Sequence, residues 1–229
     1  ARAVVEKLVD DIDVSADALP FMSFKQGHVC DGVPALVFRI RFTGESSFEI
    51  NVPASYGLEL WRAVMKAGEE FDITPYGTEV MHLLRAEKGF IIVGQETDGT
   101  ITPHDLNMDW IVSSKKDFIG KRSLNREDML RDERKKLVGL TTENPDVVLE
   151  EGAQILELNT GTEPPVPMLG HVTSSYYSPN LGRSIALALV KGGLTRKGES
   201  LIVDQGDSRY KVNVVDPVFI DPKGERFHG

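Results

Sequence analysis

Hydrophobic and polar residues alternate along two adjacent segments near position 40. Residues 37–42 read Val-Phe-Arg-Ile-Arg-Phe, a turn-forming Thr-Gly-Glu-Ser follows at 43–46, and the alternation resumes over residues 48–52. Successive side chains of a strand point to opposite faces of a sheet, so this pattern predicts a β-hairpin. Its second strand should turn three apolar residues to one face and Glu49 and Asn51 to the other.

Helical and strand-like patterns flank this hairpin. Apolar residues at helical spacing predict helices over residues 2–9, 55–68 and 78–88. Short apolar runs at 90–93 and 110–112 favour strands. Charges of alternating sign between Gly120 and Lys136 are typical of a solvated helix that links two parts of a chain.

The pattern of apolar and polar residues changes after residue 136. Short β-rich runs recur between turns, which favours a small antiparallel barrel or sandwich. The runs cover residues 137–141, 154–158, 169–174, 185–190, 201–203 and 210–215. We therefore predict an α+β fold, with an antiparallel sheet and helices in a first domain (residues 1–130) and a small antiparallel β-barrel in a second (131–229).

Composition and charge exclude several classes of function. The 229 residues carry a net charge of −9, which argues against a nucleic acid as the main partner. No apolar run approaches the roughly 20 residues of a membrane helix. The single cysteine, Cys30, excludes an internal disulfide and favours the cytoplasm. The chain begins with Ala1 rather than Met, which we interpret as a start within a larger protein, although terminal processing would look the same.

Other candidate chemistry is weak. The histidines, at positions 28, 82, 104, 171 and 228, follow no metal-ligand spacing, so we predict no metal site. The hydroxyl-rich run 173–178 lacks the glycine-flanked turn of a hydrolase nucleophile, and turn chemistry is the better interpretation. We expect Cys30 to be a thiol without catalytic function.

Several segments, in order, resemble the aminomethyltransferase (glycine-cleavage T-protein) family. They are residues 19–24, the hairpin Phe42-Thr43-Gly44-Glu45-Ser46-Ser47-Phe48-Glu49-Ile50, 83–89, 117–122 and 169–174 with 178–179 and Gly182. The resemblance runs over nearly the whole chain. It implies the aminomethyltransferase folate-binding fold, in part, followed by the barrel, with tetrahydrofolate as cofactor.

Within this superfamily the chain is most similar to the α subunits of heterotetrameric sarcosine oxidases. That likeness rests on residues 75–79, 86–95 and 98–100. It implies a module whose folate accepts the methylene group of oxidised sarcosine, giving 5,10-methylenetetrahydrofolate. It also implies other oxidase subunits as partners, with flavin and NAD held on other parts of the complex.

Two residues are candidates for folate binding. The carboxylate of Glu49 presents two adjacent acceptors, which suit the ring N–H and exocyclic amino group of a pterin edge, and the family's pterin-binding acid falls at this position. The alternative is a solvent-facing strand glutamate. Trp110 matches a tryptophan near the folate of related transferases and could pack on a flat ring, or it could be a core residue. We expect Arg85 and Glu87 to tie their helix to neighbouring elements.

The chain also departs from the family pattern. Met81 stands where the transferases have an arginine that helps to hold the folate, and methionine cannot pair with the carboxylate tail of that ligand. The family's catalytic aspartate belongs to a segment that precedes Ala1, and we expect the chain to be incomplete for catalysis. The alternative functions are a stand-alone aminomethyltransferase or demethylase, or a non-catalytic folate-binding assembly protein. The assembly proteins have a cysteine loop where this chain has Lys88-Gly89-Phe90-Ile91.

Overall fold

A computed structural model describes residues 1–227 of the chain, which form two compact units. The first unit comprises residues 1–81 together with residues 223–227, and the second comprises residues 82–222. The domain boundary predicted near residue 130 stays a prediction.

The first unit contains a three-stranded antiparallel sheet. Its strands are β1 (Ser23–Val29), β2 (Val33–Arg39) and β3 (Glu49–Asn51), in the order β1-β2-β3. The predicted hairpin is confirmed, since Val37 lies opposite Ile50.

The sequence did not predict β1. Polar residues occupy both faces of this strand, and Gly27 in its middle is a residue that strands disfavour. That glycine is required by packing: a Cβ at this position would lie 2.5 Å from the Asp11 carboxylate and 2.6 Å from the Ile12 side chain.

Helices cover the inner face of this sheet. α1 (Arg2–Glu6) is shorter than predicted, and α2 (Gly57–Gly68) agrees with the prediction but lacks a side-chain cap from Ser55. α3 (Thr78–Glu87), also predicted, begins in the first unit and ends in the second. The core of the first unit consists of Val5, Ile12, Val14, Leu19, Val29, Ala35 and Val37.

The second unit is built on a closed antiparallel barrel, which confirms all six predicted strands. The order around the barrel is β4-β7-β6-β5-β8-β9. The strands are β4 (Lys135–Thr142), β5 (Gln154–Glu157), β6 (Gly170–Ser178), β7 (Arg183–Lys191), β8 (Ser200–Asp204) and β9 (Arg209–Val215). Side chains that point inward alternate with outward ones and fill the interior with valine, leucine, isoleucine and alanine.

The apolar run 90–93 forms no strand, so that prediction was wrong. Helix α3 ends at Glu87, and Gly89, with a φ of +68°, reverses the chain just beyond it. The Phe90 N–H donates back to the Arg85 carbonyl. The Ile92 N–H donates to the Glu96 carboxylate at 2.8 Å. Because turn and side-chain acceptors satisfy this backbone, it needs no neighbouring strand.

Two further predictions between residues 105 and 135 were also wrong. Trp110 lies in a single 3-10 turn, Asp109–Ile111, rather than in a strand. The segment 120–136 is not one helix, and contains a 3-10 turn (Ser123–Asn125) and the four-residue helix α4 (Glu127–Leu130). The residue at each end of α4 is extended, and the charge pattern of this segment offers no apolar stripe that could stabilise a longer helix.

Candidate functional site

The outer face of the three-stranded sheet, opposite the core, carries aromatic residues and the candidate Glu49. Phe38 lies directly opposite Phe24 on β1 and directly opposite Glu49 on β3. The two phenyl rings are stacked, with centroids 5.2 Å apart and an interplanar angle of 26°. The Phe24 side chain remains 58% exposed. We call Phe24, Phe38 and Glu49 the outer-face cluster.

The Glu49 side chain is exposed, as the alternation of the hairpin predicted. Within residues 1–227 its carboxylate forms no hydrogen bond or ion pair. Residues directly opposite on neighbouring strands have Cβ atoms about 5 Å apart, so the carboxylate and the Phe38 ring are adjacent. The cluster therefore offers a flat apolar surface beside an acceptor pair, while a role in folate binding stays a prediction.

Buried Arg39 fixes the segment that leads into β3. It projects from β2 to the inner side of the sheet, where it donates to the Ser47 carbonyl and the Ser46 hydroxyl, each at 2.9 Å. Its guanidinium lies 5.0 Å from the centre of the Phe48 ring. Burial lowers the pKa of Arg39, and the charge of Arg2 lowers it further. These contacts hold the connection between β2 and β3, and with it the position of Glu49.

Trp110, the other predicted folate contact, belongs to the second unit. It is 81% exposed, so it is not a core tryptophan. A hydrogen bond between His104 and Asp109, the residue before Trp110, holds this turn. It is the main cause that lowers the pKa of Asp109. The structure leaves the Trp110 ring available, and its role stays a prediction.

Arg85 is fully buried and ties α3 to the barrel, as expected for this residue. Its Nη1 donates to Glu96 at 3.0 Å, and its Nη2 donates to the Ser174 hydroxyl at 2.6 Å. Ser174 in turn donates to the other oxygen of Glu96 at 2.6 Å. Ser174 lies in β6, so interpreting run 173–178 as a turn was wrong.

Glu87, also predicted to be structural, makes a second and separate tie to the barrel. It accepts hydrogen bonds from the Ser178 hydroxyl at 2.5 Å and from the Asn180 amide. The neighbouring Lys88 forms a buried ion pair with Asp221 at 2.9 Å. Since Arg85 and Glu87 are two residues apart on a helix, they point in different directions and bind different strand residues.

Asp105 forms a buried charge cluster that the sequence did not reveal. Its carboxylate accepts hydrogen bonds from Arg134, Lys136 and Thr102 at 2.6–3.2 Å. Burial by itself would raise the pKa of Asp105, but these donors, Arg134 foremost, outweigh it and lower the pKa to about 2. Thr102 and Asp105 form a local capping box, but the two cations follow Asp105 by 29 and 31 residues, so no local motif links the charges.

Across positions 1–227, no group of three or more His, Cys, Asp and Glu side chains is arranged to hold a metal ion. His228 lies outside the described residues.

Burial, together with Asp10 and Asp31, raises the pKa of Cys30. No helix among residues 1–227 has both the length and the apolar character needed to span a membrane.

Comparison with family models divides the chain into two matched regions. Residues 1–116 match the GCVT N-terminal domain, and residues 135–221 match the glycine cleavage T-protein C-terminal barrel domain. Among solved structures, the glycine cleavage system aminomethyltransferase T from Bartonella henselae aligns with a TM-score of 0.75 at 20% identity, over 96% of this chain and 56% of that one. The predicted fold class is thereby confirmed.

The most similar relatives include two groups. The sarcosine oxidase α subunit of Corynebacterium sp. strain P-1 is 51% identical over all of this chain, and that of Rhizobium meliloti is 39% identical. An aminomethyltransferase of Clostridium botulinum (strain Kyoto / Type A2) is 31% identical over 97% of the chain. This chain spans 24%, 23% and 58% of those three proteins, respectively.

Proposed function

Because this chain belongs to the glycine cleavage T-protein family, we propose that it binds tetrahydrofolate and serves in one-carbon transfer. When bound, the folate supplies the nitrogen atoms that accept a one-carbon unit. The residues of this chain bind and orient it, an effect on the reaction that comes from positioning. We propose no catalytic acid or base among the described residues.

The outer-face cluster is the observation that carries this proposal. The exposed Glu49 carboxylate has no partner among residues 1–227, so no internal bond must be broken before it accepts hydrogen bonds from a ligand. A pterin edge offers two parallel donors, and such charge-assisted pairs are strong and directional. The stacked rings of Phe24 and Phe38 lie beside the carboxylate and provide a surface on which a flat heterocycle can pack.

The residues of this chain fit the pterin of folate well and its carboxylate tail poorly. Met81 on α3 is half-buried and carries a thioether, which cannot pair with a carboxylate. We propose Trp110 as a second contact, through its exposed indole face. The folate would thus be held mainly through the pterin and its ring surfaces.

A more specific proposal concerns the reaction in which the folate takes part. Identity of 51% to a sarcosine oxidase α subunit, against 31% to an aminomethyltransferase, favours a place in a sarcosine-oxidising complex. There the module would accept the methylene group of oxidised sarcosine to give 5,10-methylenetetrahydrofolate. Other oxidase subunits would be its partners, and flavin and NAD would bind elsewhere in the complex.

A folate titration of the 229-residue chain and its Glu49→Gln variant tests this proposal. Glutamine keeps the shape of the side chain but loses the charge and one acceptor, so we expect binding to weaken by about 1.5–3 kcal/mol, or roughly 10- to 150-fold. Glu59→Gln, an exposed change on α2, is the matched control and should bind as the wild type does. Equal affinity of the Glu49→Gln variant and the wild type would refute the assignment.

A further inference from the structure

Two lysines face each other at the end of two barrel strands. Lys135 is the first residue of β4, Lys191 is the last of β7, and the antiparallel register places them directly opposite each other. Opposite residues share one face of a sheet, so both side chains project from the outside of the barrel. Like charges in this arrangement destabilise a sheet.

Among residues 1–227, neither lysine of this pair contacts a carboxylate directly. In the described part of the chain, neither ammonium group takes part in an ion pair or a hydrogen bond. Asp98 lies in the same region, but its carboxylate accepts hydrogen bonds from the Thr100 backbone and hydroxyl, both at 2.6 Å. These bonds are the main cause that lowers the pKa of Asp98, and the charge of Lys135 contributes least.

The lysines line a cavity of about 220 Å³. His171 on β6 lies opposite Leu189 on β7, and this register puts the imidazole on the same outer face as the lysines. Burial lowers the pKa of His171 and the charge of Lys135 lowers it further, while the charge of Asp98 acts in the opposite direction. In its neutral form the imidazole can donate one N–H. The lining also includes Asp98, Thr100 and Ile101 together with Arg131 and Arg134.

The two arginines of the lining already have partners. Arg134 donates to the buried Asp105 carboxylate, and Arg131 pairs with Asp128. Among the cations that line the cavity, Lys135 and Lys191 are therefore the two without an ion-pair partner in the described residues, while the nearby Asp98 interacts with Lys135 through its charge. Glu133, the remaining acid of the lining, is exposed to solvent and forms no ion pair among the described residues.

We propose that the cavity formed by Lys135, Lys191 and His171 binds a small dianion, either phosphate or a short dicarboxylate. Its oxygen atoms would accept hydrogen bonds from both ammonium groups and the imidazole N–H, and its charge would offset their repulsion. The cavity volume limits the ligand to a few heavy atoms or to the end of a larger molecule. This site does not depend on folate binding by the first unit.

Thermal unfolding in phosphate, in succinate and in sodium chloride at equal ionic strength tests the site. A ligand that binds only the folded state raises the midpoint of unfolding. We expect phosphate or succinate to raise it above the value in chloride, and by more in the wild type than in variants that lack one of the lysines, because such anions also stabilise folded proteins generally. Equal midpoints in all three salts would overturn the proposal.

The variants Lys135→Gln and Lys191→Gln locate the effect. Each should weaken anion binding by about tenfold, since a charge-assisted hydrogen bond is lost. In chloride alone, each should unfold at the same temperature as the wild type or higher, because repulsion is relieved. Lys115→Gln, which removes an exposed lysine outside the cavity, should keep the full response to the anion. A response retained by both cavity variants would show binding elsewhere, as an adventitious ion only.

Discussion

Arg85 and Glu96 form an ion pair in which both side chains are completely buried, with Nη1 3.0 Å from Oε2. Glu96 also accepts hydrogen bonds from the Ser174 hydroxyl and the Ile92 N–H. All three of these groups bind the two oxygen atoms of the negatively charged Glu96 carboxylate. Losing one partner would leave a buried charge without compensation.

We expect Glu96→Gln to destabilise the protein by about 3–5 kcal/mol, the range for breaking a buried ion pair from one side. Urea unfolding followed by circular dichroism measures this difference. Glu143→Gln is the control, because Glu143 and Lys211 form an exposed pair at 2.7 Å whose loss should cost under about 1 kcal/mol. Similar losses in the two variants would contradict the importance assigned to the buried pair.

Asp105 should make stability depend on acid pH. Its folded-state pKa of about 2 lies below the ordinary value of 3.8, so the stabilisation is complete above pH 4 and is lost as the pH falls toward 2. The difference corresponds to roughly 2 kcal/mol. We expect the free energy of unfolding to fall by about this much more in the wild type than in Asp105→Asn between pH 5 and pH 2.

A matched variant separates this effect from general acid denaturation. Asp146→Asn removes an exposed carboxylate of the same unit and should leave the pH profile of the wild type unchanged. The Asp105→Asn variant should also be less stable at neutral pH, because Arg134 and Lys136 lose their common partner. Parallel pH profiles for the wild type and Asp105→Asn would rule out the proposed linkage.

Trp110 offers a test of folate binding that is separate from Glu49. Because its side chain is 81% exposed, Trp110→Leu should change stability by no more than about 0.5 kcal/mol. If the indole packs on the folate, affinity should fall by about 0.5–1.5 kcal/mol, the range for an aromatic pair. Calorimetric titration measures the loss, and Trp61→Leu on α2 removes the other tryptophan as a control. Full affinity in the Trp110→Leu variant would remove this residue from the site.

The sequence predicted those parts of the fold in which local pattern and tertiary context agree. The six barrel strands alternate between the interior and the outside, and Glu49 appeared on the polar side of its hairpin for the same reason. The failures lie where distant groups decide the structure. The run 90–93 is apolar enough for a strand, but Glu96 and Arg85 provide partners for its backbone.

The site was predictable only in part. Alternation and family resemblance placed Glu49, but the stacking of Phe24 on Phe38 depends on β1, which carries no clear strand pattern. The Asp105 cluster and the opposed lysines join residues that are far apart in sequence, so only the register of the folded strands reveals them. Spacing along the chain contains no information on such pairs.

Closure of the barrel has a consequence for synthesis of the chain. Strand β4 is the first barrel strand to leave the ribosome, yet one of its edges pairs with β9, the last, where Leu140 meets Val214. Until β9 emerges, the nascent β4 exposes unpaired backbone groups along that edge, which other chains could use as a template. Release of the C-terminal strand, rather than growth of the earlier ones, is then the event that protects a newly made molecule from association with its neighbours.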